Sequence, residues 1–129
     1  MSERGYLLDA SALLAFFYDE PGSTRVAQVL KDAAISAVNL TEVVAKLHDR
    51  ALSPEVIALN LADTNLRVLR FDEPIAITAG NLRERTRVFG LSLADRACLA
   101  TAALTGRTAV TADGDWRPLA SDFDIEFIR

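Results

Sequence analysis

The chain has 129 residues, half of them apolar, which suffices for one ordinary domain spanning residues 1–129 around a continuous core. Its 18 acidic residues outnumber 14 Lys and Arg, a formal net charge of -4, so it lacks the overall positive field that draws nucleic acid by counterion release. A single cysteine, Cys98, and a single histidine, His48, exclude an internal disulfide, a cysteine cage for zinc, HExxH chemistry and any triad with a second histidine as orienter. Residues 1–5 are polar without an apolar leader core, and no run approaches the roughly 20 apolar residues of a membrane helix, so a cytoplasmic protein away from membranes is expected.

In chain order, residues 6–9 form a short apolar run ending in a charge, followed by a helix over 10–18 that carries Leu13, Leu14, Phe16 and Phe17. Pro21-Gly22 signals a turn, and Ser23 is placed to cap a helix through Lys31. A second strand is expected over 35–38, with Asn39 or Thr41 capping a third helix through Arg50. Ser53-Pro54-Glu55 then puts proline just inside a fourth. Residues 66–71 alternate like a strand, Glu73-Pro74 opens a helix to about Arg87, and Gly90 breaks it. Ser92 starts a helix rich in small residues that Gly106 ends, and strands are expected at 109–111 and 125–128. Strands separated by helices, roughly βαβααβααβ, favour a largely parallel sheet with helices on both faces and a ligand site beyond the carboxyl ends of the strands.

That rule directs attention to four acids. Asp9 follows the first strand, and it can equally be an N-cap. Glu42 sits early in the third helix, where a surface glutamate would also gain from the helix dipole. Asp95 lies in an apolar setting of Leu91, Leu93, Ala94 and Ala97 with Ser92 already available as a cap, so an unpartnered carboxylate there would be costly. Asp113 follows the fourth strand in an Asp-Gly pair that can be only a turn. Taken together, the four can converge on one edge of the sheet, where mutual repulsion raises their pKa values unless a cation is present. Oxygen-only donors suit Mg²⁺ or Mn²⁺ and the phosphate chemistry these ions support. If RNA binds so acidic a chain, it is held by metal ions at the acids, by a local face drawn from Arg83, Arg85, Arg87, Arg96, Arg107 and Arg117, or by a basic partner segment.

The residues around these acids carry a resemblance. Leu7-Leu8-Asp9-Ala10-Ser11-Ala12-Leu13, Asn39-Leu40-Thr41-Glu42-Val43, Leu93-Ala94-Asp95-Arg96-Ala97-Cys98-Leu99-Ala100 and Val110-Thr111-Ala112-Asp113-Gly114-Asp115-Trp116 are similar, in order and spacing, to the motifs of the PIN-domain family. Within it, the chain resembles the VapC-like toxins of toxin–antitoxin pairs over nearly its whole length. The resemblance implies a three-layer α/β/α fold with a central sheet of four or five strands and a Mg²⁺- or Mn²⁺-dependent ribonuclease. It also implies a homodimer and a small antitoxin in the active-site groove. By position, Asp9, Glu42, Asp95 and Asp113 would be the acidic set, with Ser11 and Thr111 as hydroxyl helpers. Asp115 is placed after Asp113, because family members vary in whether this later aspartate reaches the metals.

Arg96 reads either as a phosphate clamp or as an ion-pair partner for a surface acid. Trp116 and the phenylalanines read as core or dimer packing rather than as base platforms, His48 as a partly exposed helix residue, and Cys98 as a small buried hydrophobe. Two other function classes share such a fold: a phosphoacceptor signalling domain and a catalytically silent binding or regulatory module. The first needs an adjacent acid pair after the first strand, which this chain does not offer, and the complete acid set argues against the second.

Overall fold

A computed structural model describes residues 5–129, so the polar opening over residues 1–4 lies outside the described residues. Five strands, β1 (Tyr6–Leu8), β2 (Ala33–Ser36), β3 (Arg67–Leu69), β4 (Thr108–Thr111) and β5 (Ile125–Phe127), pair in parallel in the order β3-β2-β1-β4-β5. Helices α1 (Ala10–Phe17), α2 (Ser23–Val29), α3 (Ala37–Asp49) and α4 (Pro54–Thr64) intervene before β3. The helices α5 (Glu73–Asn81), α6 (Arg83–Thr86) and α7 (Leu93–Thr105) precede β4.

Side chains alternate across the sheet, and that alternation builds the three layers. Leu7, Ala34 and Ala109 face Cys98, Leu99, Ile75 and Trp116 on the α5 and α7 side. Their neighbours Leu8, Ile35 and Val110 face Leu13, Val26, Val43 and Leu47 on the side of α1 to α4. Buried Ala97, Cys98, Ala100 and Ala102 let α7 lie close to the strands. Gly106, with φ of 68°, closes α7 in the left-handed conformation that a helix end favours. Gly22, with φ of 100°, leaves no room for a side chain: a Cβ there would sit 2.7 Å from Ile128.

Several expected boundaries differ, each for a local reason. The second strand lies at Ala33–Ser36 rather than 35–38, because Ser36 accepts the backbone N–H of Val38 and starts α3 itself. Asn39 and Thr41 are therefore inside the helix and cap nothing at its start. Thr41 instead donates to the Ala37 carbonyl at 3.0 Å. Ser23 is the first residue of α2 rather than its cap, and its hydroxyl donates to Asp19. The helix expected over 73–87 gives way at Leu82 to α6 and a 3-10 turn, just after the weak helix formers Gly80 and Asn81. No helix among the described residues is long and apolar enough to cross a membrane.

Candidate active site

The strand order reverses between β1 and β4, and crevices at such a switch point, beyond the carboxyl ends of the strands, are where parallel α/β sheets bind ligands. Asp9 stands there. Its backbone N–H donates to the Val110 carbonyl at 3.0 Å, so the residue after β1 is pinned to β4. Its Oδ1 accepts from the Ala12 backbone at 2.8 Å and the Ser11 hydroxyl at 2.7 Å, while Oδ2 accepts the Thr111 hydroxyl at 2.6 Å. Ser11 Oγ in turn accepts the Ala112 N–H, and Thr111 Oγ1 the Asp113 N–H. Asp9 is thus the N-cap of α1 and also the centre of a network joining the first and fourth strands. Only 4% exposed, its carboxyl is pushed up to about 6 by burial, against the hydrogen bonds from Thr111, Ala12 and Ser11 and with a smaller contribution from Asp95.

Asp95 closes a capping box: its Oδ2 accepts the Ser92 N–H at 2.9 Å while Ser92 Oγ accepts the Asp95 N–H at 3.2 Å. A structural role as helix cap is therefore satisfied here too. Burial nevertheless raises its pKa, opposed by the Ser92 bonds and reinforced by Asp113 and Asp115. Glu42, in the second turn of α3, is raised by burial and then by Asp95, with Lys46 and Asn39 acting in the opposite direction. Asp113 caps the 3-10 turn Gly114–Leu119 by accepting the Asp115 N–H at 2.9 Å.

Asp9, Glu42, Asp95 and Asp113 line one cavity of ≈ 330 Å³ together with Ser11, Leu14, Tyr18, Glu20, Lys46 and Arg129. Asp115 is exposed and does not line it. The four acids are brought together electrostatically and around one space. Among the described residues, however, no three acid, histidine or cysteine side chains are arranged as a ready metal cage. The donor chemistry, carboxylate oxygens crowded against like charge, fits a hard divalent cation. Mg²⁺ is commonly held through one or two carboxylates and keeps several waters, so it does not require such a cage. Beneath the pocket, burial and the nearby Asp9, Asp95 and Glu42 raise the Cys98 thiol well above its usual range, which leaves it a thiol rather than a nucleophile.

Arg96 fits neither role expected for it. It is 8% exposed, turns to α5, donates Nη1 to the Ala79 carbonyl at 3.2 Å and makes no ion pair among the described residues. A side chain enclosed between α5 and α7 cannot clamp a substrate phosphate or pair with a surface acid. None of Arg83, Arg85, Arg87, Arg107 and Arg117 lines the acid pocket either. Arg85 pairs with Asp122 and Arg87 with Glu84. Trp116 is fully buried in the α5 and α7 core, as the packing reading required, and His48 is exposed on α3.

Three contributors were not expected. Asn39, 1% exposed, donates Nδ2 to the Ala94 carbonyl at 3.1 Å and so ties α3 to the start of α7, setting Glu42 near Asp95. Its signal was a polar amide between Val38 and Leu40, read instead as a cap. Lys46 follows Glu42 by four residues, a spacing that places both on one helix face. Arg129 reaches the cavity from beyond β5 and carried no local signal.

A family model described as PIN domain matches residues 6–121. The structure is similar to that described as FitAcB from Neisseria gonorrhoeae, with 26% identity, a TM-score of 0.71 and coverage of 95% of this chain and 97% of that one. It is also similar, at 20% identity and a TM-score of 0.74, to a toxin–antitoxin complex from Klebsiella pneumoniae and to DNA-bound VapBC from Salmonella typhimurium, each covering 97% of this chain and 98% of the other. A search among curated protein sequences gives no match. With the family model spanning both cores and all four pocket acids, the chain belongs to the PIN-domain family.

Proposed function

We propose that the chain, acting as one PIN domain, is a Mg²⁺- or Mn²⁺-dependent endoribonuclease and the toxin of a type II toxin–antitoxin pair in the cytoplasm. One observation carries the reading. Asp9 is buried, held at both oxygens by three donors, and opens on a cavity shared with Glu42, Asp95 and Asp113. An enclosed carboxylate fixed so firmly beside like charges is poorly explained as a helix cap alone, which needs only the Ala12 bond.

In this reading Asp9, Asp95, Glu42 and Asp113 would hold the cation, directly or through its waters, while Ser11 and Thr111 keep Asp9 oriented and ionised by donating to it. The bound ion would supply an activated water and offset charge on the attacked phosphate. Cleavage then leaves a 5′-phosphate. A small antitoxin covering the pocket and a second copy of the chain are the proposed partners. Their support is the motif resemblance and the description of a structural neighbour as a toxin–antitoxin complex.

Incubation with total RNA and defined oligonucleotides, with and without EDTA, followed by mapping of product ends, tests the proposal. Cleavage should require Mg²⁺ or Mn²⁺ and vanish in Asp9→Asn. Cleavage that persists in EDTA or in Asp9→Asn would overturn it.

A further inference from the structure

The acid pocket has a second kind of lining. Lys46 and Arg129 border the same cavity as the four acids. Lys46 lies one helical turn beyond Glu42, about 6 Å along α3 by helix geometry. It makes no ion pair among the described residues, although its charge acts on Glu42. Arg129 arrives from the segment that follows β5, which is tied to its neighbours at several points. The neighbouring Ile128 N–H donates to the Thr111 carbonyl at 3.0 Å, and Arg117 donates to the Arg129 carbonyl at 3.2 Å. Its Nη1 donates to the Pro21 carbonyl at 3.0 Å and lies 3.7 Å from Glu20, while Nε and Nη2 make no hydrogen bond among the described residues.

A chain of net charge -4 repels RNA, and a cation at the acids offsets charge only where it sits. The phosphates on either side of the cleaved one still need partners. An ammonium without an ion pair and a guanidinium with two open donor nitrogens are the basic groups facing that space. Resting on the nuclease reading, we propose that Lys46 and Arg129 are substrate-binding residues that hold RNA backbone phosphates flanking the one at the acids, Lys46 as a point charge and Arg129 as a donor fork.

The test is cleavage of a defined single-stranded RNA oligonucleotide in Mg²⁺ over a KCl series. The parent is compared with Lys46→Gln, Arg129→Gln and Arg83→Gln, the last exposed on α6 outside the cavity. Each of the first two should raise KM roughly tenfold with little change in kcat. Each should also reduce the slope of log kcat/KM against log salt by about one. Arg83→Gln should match the parent, Lys46→Arg should restore KM, and Mg²⁺ affinity measured by calorimetry without RNA should not fall in any of them. Parent-like KM and salt slope in Lys46→Gln and Arg129→Gln, with metal-dependent cleavage intact, would overturn this inference alone. So would a loss of Mg²⁺ affinity matching the loss of cleavage, which would assign the two cations to ordering the acids. A parent that does not cleave RNA at all would instead overturn the nuclease reading beneath it.

Discussion

Among the described residues two charged side chains are almost wholly enclosed, and the chain treats them in opposite ways. Asp9 at the sheet's carboxyl edge is met by three donors, opens on a cavity and shares it with three further acids. Arg96 between α5 and α7 donates once, to the Ala79 carbonyl, and its Nε has no partner. Burial of charge therefore does not by itself mark a site. What separates the two regions is whether the surroundings can change the charge: Asp9 can be neutralised by a proton or a cation entering the cavity, whereas a guanidinium stays charged and has only its packing.

The largest effect that sharpens this contrast is catalytic. Asp9→Asn should abolish RNA cleavage, while Arg96→Met should cleave like the parent with an unchanged salt dependence. A flattened salt dependence in Arg96→Met would return Arg96 to the substrate surface and break the contrast.

Stability comes next. Because burial pushes the folded Asp9 carboxyl up to about 6 from its ordinary 3.8, the folded state binds the extra proton between those values. Stability of the metal-free protein therefore declines as pH rises from about 4 to about 6, and above that range ionised Asp9 costs about 3 kcal/mol. Asp9→Asn removes that cost. Asparagine is also a good N-cap, and its amide can donate to Thr111 Oγ1 where the carboxylate accepted. Thermal melts across pH 4–8 should show the variant at least as stable as the parent at neutral pH and less sensitive to pH over that interval. A large neutral-pH loss would make Asp9 a structural cap.

A smaller effect is expected at Arg96, where Met keeps the volume and removes a buried charge without an ion-pair partner. Urea melts should find Arg96→Met between neutral and about 2 kcal/mol more stable. A loss of several kcal/mol would show that the single bond to Ala79 outweighs the cost of enclosing the charge.

The same two regions show how much the sequence disclosed. The parallel sheet was legible because its strands are short apolar runs separated by helical periods, and Asp9, Glu42, Asp95 and Asp113 could be placed at one edge because each follows or opens an element there. Asp9 and Asp113 are themselves N-caps and Asp95 closes the capping box of Ser92, so a cap and a pocket acid are not alternatives, and no single motif could separate them. The direction in which Arg96 turns was not legible, since neighbours in a helix point about 100° apart and only the packing of α5 decides what the next position meets. Lys46 and Arg129 join the cavity through contacts between α3, α1 and the segment beyond β5, which a local pattern does not encode. Residues 37 and 38 read as a continuation of the second strand because Ile35 and Val38 suggest one apolar run, whereas the Ser36 hydroxyl, at the end of β2, already starts α3.

The central claim is that the carboxyl edge is a charge-crowded cation site built on Asp9. Its most direct test is a thermal melt of the parent and Asp9→Asn at neutral pH with and without millimolar Mg²⁺ or Mn²⁺. A ligand that binds only the folded state stabilises it, so the parent should melt several degrees higher with metal and Asp9→Asn should gain little. An unchanged parent, or an equal rise in both proteins, would contradict the account.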